Sequence, residues 1–131
     1  MDPLLIDEKV TIAKGARTHA VKKDDKLTVE GGQTVEVTND QTITIKSGNH
    51  SLKISSGKST TEAAQSIELK VGGSSIKIEP AAITLTSGAN TVKLEAAGIT
   101  VSGPKITVSA DAMLQLSGKP VQISGPPIMI G

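Results

Sequence analysis

Apolar-x-apolar pairs recur about every eight residues along most of this chain, and no other feature constrains its fold as tightly. The pairs are Leu27/Val29, Val35/Val37, Ile43/Ile45, Leu52/Ile54, Ile67/Leu69, Ile76/Ile78 and Ile83/Leu85. They continue as Val92/Leu94, Ile99/Val101, Ile106/Val108, Leu114/Leu116, Val121/Ile123 and Ile128/Ile130. From Val35 to Ile128 the steps are 8, 9, 15, 9, 7, 9, 7, 7, 8, 7 and 7, and counting the 15 as two repeats gives about 7.75 residues per repeat. Alternation inside such a period means short strands, each with one face inward. The unit is tightest at 99–109, where Ile-Thr-Val-Ser, a Gly-Pro-Lys corner and a second Ile-Thr-Val-Ser follow one another.

Glycine and proline fall between the pairs, where corners need permissive backbone angles and no ladder donor is lost. Helical periodicity is confined to one candidate, Thr60–Gln65. Three regions are expected: an irregular lead-in at 1–26 with one possible strand at Val10–Ile12, repeats of about 7–9 residues over 27–119, and an uncharged apolar tip at 120–131. The chain has no Phe, Tyr or Trp. A core of slim aliphatic chains alone suggests an interior too narrow for a ring.

A wall of four- or five-residue strands is roughly 15 Å wide. Three such walls closed into a triangle put the axis about 4–5 Å from each wall, the reach of one Ile or Leu. The expected fold is therefore all-β: an intertwined triple-stranded β-helix, a triangular β-prism needle built as a homotrimer. Its core would be the paired residues from Ile43/Ile45 to Val121/Ile123. If adjacent repeats meet on a wall, Glu68 lies near Lys77, Thr100 near Thr107 and Gln115 near Gln122. The steps settle to 7 or 8 after Val92, which suggests that the distal end is the most regular part.

Two segments resemble a known family. Gly57–Ile78, reading GKSTTEAAQSIELKVGGSSIKI, and Gln41–Leu52, reading QTITIKSGNHSL, are similar to the needle of VgrG proteins, the spikes of bacterial type VI secretion systems. The likeness runs from about residue 20 to about 110, and related needles occur in contractile phage tail spikes. The resemblance implies a homotrimer projecting from a spike base, a PAAR-type protein on its C-terminal tip and an Hcp-type tube behind the base. It also implies secreted effectors travelling with the spike and transient contact with a target membrane. Assembly in the bacterial cytoplasm and export by the type VI apparatus, without a signal peptide, into the extracellular space or a target cell would follow. The sequence reads as a C-terminal part of such a spike.

Other functions find little support. A net charge of +1, from 14 Lys+Arg against 13 Asp+Glu, offers no basic surface for nucleic acid. Serines lack a partnered His and no paired carboxylates mark a cleft, so no enzyme is expected and no catalytic residue is named. Zero cysteines exclude thiolate chemistry. No cofactor is expected. His19 and His50 are the only histidines; His50 is an axial metal candidate under threefold symmetry, but its corner position favours a solvated side chain. Asp24-Asp25 and Asn39-Asp40 read as turn residues rather than calcium ligands. Segment 59–66 has no apolar pair, so its layer is expected to be narrow or to hold an axial water or ion. At the end, Pro126, Pro127, Ile128, Met129, Ile130 and Gly131 form a candidate docking tip. The alternative function is a single-chain β-solenoid that binds through a flat Thr-rich wall built on Thr42, Thr44, Thr84 and Thr86.

Overall fold

The computed structural model describes residues 7–129. The first six residues, and Ile130 and Gly131 of the expected tip, lie outside the described residues. The described structure is all-β, with no helix; the helical candidate at Thr60–Gln65 carries only a bend at 64–65. The chain divides into two units, 1–51 and 52–131.

The second unit holds one antiparallel sheet of five strands in the order β1-β2-β3-β4-β5. They are β1 (Ile67–Val71), β2 (Ser74–Ile78), β3 (Ala82–Ser87), β4 (Asn90–Glu95) and β5 (Gly98–Ser102). Each strand pairs with the next through a short loop: Gly72-Gly73, Pro80-Ala81, Gly88-Ala89 and Ala96-Ala97. The loops recur every eight residues. Gly72 and Gly88 open their loops at φ 53° and 56°, a left-handed conformation that glycine adopts without strain. Pro80 sits where its fixed φ suits a turn, which two reciprocal bonds close: Glu79 N–H donates to Ala82 O at 2.9 Å and Ala82 N–H to Glu79 O at 3.3 Å.

The sequence pattern explains why this part of the chain folds on itself. A two-residue hairpin pairs residues whose numbers differ by an odd count, so an apolar pair stays on one face only if the step is odd. From Ile67 to Ile99 the steps are 9, 7, 9 and 7, all odd, and the spacers between pairs hold six, four, six and four residues. That alternation is the mark of a meander whose wide and narrow edges take turns.

The intertwined reading expects each strand to lie on a neighbouring chain. Over Ile67–Ser102 each strand lies instead on the next strand of its own chain. The expected neighbours Glu68 and Lys77 are indeed register partners, but across a hairpin. Thr107, Gln115 and Gln122 fall outside any ladder. The sheet ends at Ser102, where the next spacer, Ser102-Gly103-Pro104-Lys105, has four residues and the alternation of six and four stops. The uniform steps of 7 or 8 in the distal repeats therefore accompany loss of the intrachain ladder.

Elsewhere the chain keeps a second frame. Bends at 13–15, 22–23, 30–31, 38–39, 46–48 and 55–57 separate six-residue stretches that belong to no strand. In 24–29, 32–37, 40–45 and 49–54 the apolar pair always takes places four and six. The frame also covers 7–12 and 16–21 within the expected irregular lead-in, with Val10/Ile12 and His19/Val21 in the paired places. It covers 58–63 as well, where Thr61 and Ala63 take those places. Outside the strand ladders, the only backbone-to-backbone hydrogen bonds among the described residues are the two between Glu79 and Ala82.

Candidate functional site

The register sorts the sheet into rows. Ile67, Ile78, Ile83, Leu94 and Ile99 stand opposite one another in succession, and so do Leu69, Ile76, Leu85, Val92 and Val101. Both rows share one face, since strand side chains alternate. Ten β-branched or γ-branched aliphatic residues thus form an uninterrupted apolar field. Along its wide edge runs a third row, Val71, Ser74, Ser87 and Asn90. There the Ser74 and Ser87 hydroxyls are 3.0 Å apart, and Asn90 Nδ2 donates to Ser87 O at 3.3 Å. Asn90 also lies across Gly103, where an added Cβ would come within 2.2 Å of its Oδ1.

The opposite face is polar. Its middle row is Glu68, Lys77, Thr84, Lys93 and Thr100. The Lys77 ammonium meets Glu79 Oε1 at 2.8 Å, and Lys93 meets Glu95 in the same way. The bond to the neighbouring glutamate, with its charge, raises each lysine above its ordinary value of 10.5. Beside them Thr91 Oγ1 and Ser102 Oγ stand 2.6 Å apart.

In β2 and β3 exposure is reversed relative to an ordinary sheet. Ser75, Lys77, Thr84 and Thr86 are half-buried, while Ile76, Ile78, Ile83 and Leu85 are exposed. No apolar side chain is buried among the described residues. A shallow groove of 530 Å³ lies along the Leu69–Val101 row and the serine edge. The sheet shows water the face it should hide.

The repeats off the sheet behave alike. In the four stretches from Leu27 to Ile54 the first member of each pair is 65–73% exposed and the second 44–46%. In Ile106/Val108, Leu114/Leu116 and Val121/Ile123 the order reverses, with the second member the more exposed. Such constancy from repeat to repeat means one conformation used again. Gly15, Gly48 and Gly57, each three residues beyond a pair, mark corners of one kind with φ of 93°, 104° and 113°. These angles lie far from those of the hairpin glycines.

Within a single chain none of the residues expected to line the trimer axis is buried. Ile67 and Val92 are half-buried. Ile43, Ile45, Leu52, Ile54, Leu69, Ile76, Ile78, Ile83, Leu85, Leu94, Ile99 and Val101 are exposed, as are Ile106, Val108, Leu114, Leu116, Val121 and Ile123. The physical reason is that an apolar face is hidden only by a second apolar layer laid against it. The five-stranded sheet is a single layer, and Leu114 and Leu116 belong to no strand at all.

The remaining candidate residues are scattered. His50 is exposed and no group of three or more His, Cys, Asp or Glu side chains converges among the described residues. His19 was not singled out above His50, yet it occupies a paired place, and its Nε2 lies 3.4 Å from Asp25 Oδ2. The six-residue frame, counted back to residue 7, is the signal that would have found it. In the tip, Pro126, Pro127, Ile128 and Met129 belong to no strand, and Ile128 and Met129 are exposed. No known protein family, curated protein or solved structure matches the chain.

Proposed function

We propose that this chain is the needle of a homotrimeric spike of the type VI secretion kind, a rigid rod that carries a tip protein through a target envelope. The carrying observation is the aliphatic field of β1–β5, of which no residue is buried and which in β2 and β3 is more exposed than the polar face behind it. Three such faces turned toward one axis would bury the field in a dry core one side chain deep, with the Lys–Glu faces outward. The chain exposes 13911 Å² of surface. That is close to twice the ~6,500 Å² of a compact monomer of its 13.4 kDa mass. The excess is several times the ~800 Å² that each partner contributes to an ordinary interface. The resemblance of 41–52 and 57–78 to VgrG needles supports the choice of spike.

On this reading the mechanism is mechanical. The continuous ladder and ring-free core give stiffness, and the uncharged end around Pro126–Met129 seats a PAAR-type cap by strand addition. The Hcp-type tube, the effectors, cytoplasmic assembly and export without a signal peptide come with the same reading. A single-chain solenoid with a Thr-rich wall would lay each strand on the one three repeats away. Here each strand of the sheet lies on the next.

Sedimentation equilibrium tests the proposal: a mass of three chains that persists in mild denaturant supports it, and a monomer ends it. Removal of 126–131 is expected to abolish cap binding and leave the trimer whole. Retained cap binding would move the docking site elsewhere.

A further inference from the structure

We infer that the needle changes its mode of strand pairing along its length: chains wind around one another through the repeats before β1, then each builds its own wall over β1–β5. The inference rests on the trimer reading and says which copies supply the hydrogen bonds at each level.

Three independent observations separate the two regions. The first is where the ladder lies. Strands from Ile67 to Ser102 satisfy each other within one chain, whereas the stretches from residue 7 to 45 make no backbone-to-backbone bond among the described residues. Backbone groups enclosed in an assembly must be paired, so at those levels the partners are other copies. The second is step arithmetic. Leu27, Val35 and Ile43 follow one another at steps of 8, and an even step forbids a two-residue hairpin that keeps the pair on one face. The third is corner chemistry. Gly15 and Gly48 turn the chain at φ near 100°, whereas Gly72 and Gly88 reverse it at φ near 55°. The bends at 22–23, 30–31 and 38–39 hold no residue of positive φ, so no corner before β1 uses the hairpin angle, and constant exposure of the pairs from Leu27 to Ile45 agrees with one continuing path. A hairpin loop sends the chain back beside itself.

The occupant of both surfaces is thus a second and third copy of this chain, engaged in two ways. In the winding part, consecutive repeats stack on a wall but belong to different copies. In the sheet part, the copies meet only through their aliphatic faces and edges. Segment 58–63, with Thr61 and Ala63 in the paired places, lies between the two regimes. Its small side chains suit a layer where the chains must leave the winding path.

Paired cysteines in this cysteine-free chain read the copies directly. Thr91→Cys with Ser102→Cys replaces two side-chain oxygens that are 2.6 Å apart in one chain. After oxidation this variant is expected to lose its free thiols and run as a single chain on a non-reducing denaturing gel. Glu36→Cys with Thr44→Cys replaces the outward centres of consecutive winding repeats. It is expected to shift to a covalent trimer of threefold mass, as is a second pair, Thr28→Cys with Glu36→Cys. Circular dichroism and sedimentation of the reduced variants verify that each is folded and trimeric. A single-chain band or retained thiols for both winding pairs, or a threefold band for the sheet pair, would overturn the inference. A wild-type protein that sediments as a monomer would instead overturn the trimer reading itself.

Discussion

At the scale of the residue, Asn90 and Gly103 show how closely one position depends on another. Asn90 donates to Ser87 O and its Oδ1 fills the space that a side chain at 103 would need. Gly103→Ala must push the amide aside and give up that hydrogen bond, at a cost of about 0.5–1.5 kcal/mol. In an Asn90→Ala background the same change meets no amide and is expected to cost little. Chemical denaturation of the four members of this cycle measures the difference. His19 makes the converse point. Its neighbours in sequence, Arg17, Lys22 and Lys23, hide the frame that places it beside Val21, and only the bends at 13–15 and 22–23 bring the frame out.

At the scale of the element, pairing within one chain goes with the alternation of six- and four-residue spacers. The wide edge uses six residues between pairs, as in Thr86–Thr91, and the sheet stops where Ser102–Lys105 supplies four. Replacing Ser102–Lys105 with the Thr86–Thr91 spacer is expected to carry the ladder on into Ile106–Val108. New slowly exchanging amides there in hydrogen exchange would report the added strand. The ion pairs on the polar face add a smaller, pH-dependent increment. Both lysines titrate above 10.5 in the folded chain, so their contribution is complete below that value and is lost as pH rises through the raised one. A Lys77→Gln, Lys93→Gln variant is expected to show a smaller loss of melting temperature than the parent between pH 9 and pH 11.5, roughly the span of an ordinary lysine titration.

At the scale of the molecule, the absence of any buried apolar side chain among the described residues is the central fact. The two faces of β3 separate its causes. Leu85→Asp would set three carboxylates in the proposed core, each without a partner, at several kcal/mol apiece. It is expected to reduce the trimer to single chains in sedimentation. Thr84→Asp changes the neighbouring residue on the polar face and is expected to leave the trimer intact. Equal tolerance of both substitutions would show that the aliphatic field has no apolar partner.

Much of the architecture was legible in order. Strand class, the two aliphatic rows and the polar face follow from period-2 alternation, because a pleated strand sends successive side chains to opposite faces whatever surrounds it. Each of the five aliphatic pairs of β1–β5 is placed on one face of its own strand by that rule, and the odd steps between pairs bring all ten residues to one face of the sheet. The same rule, applied to Leu114 and Leu116, chose two side chains of one repeat without finding what covers them. Which strand pairs with which was not settled by alternation, since Glu68 and Lys77 become neighbours whether the second belongs to the same chain or to another. The information lay in the odd steps and in the unequal spacers, and it takes physical meaning only once loops of two residues are seen. The aliphatic field was determined by the identity of single residues. The partner of each strand depended on loop length and corner angle, properties that the tertiary structure brings together.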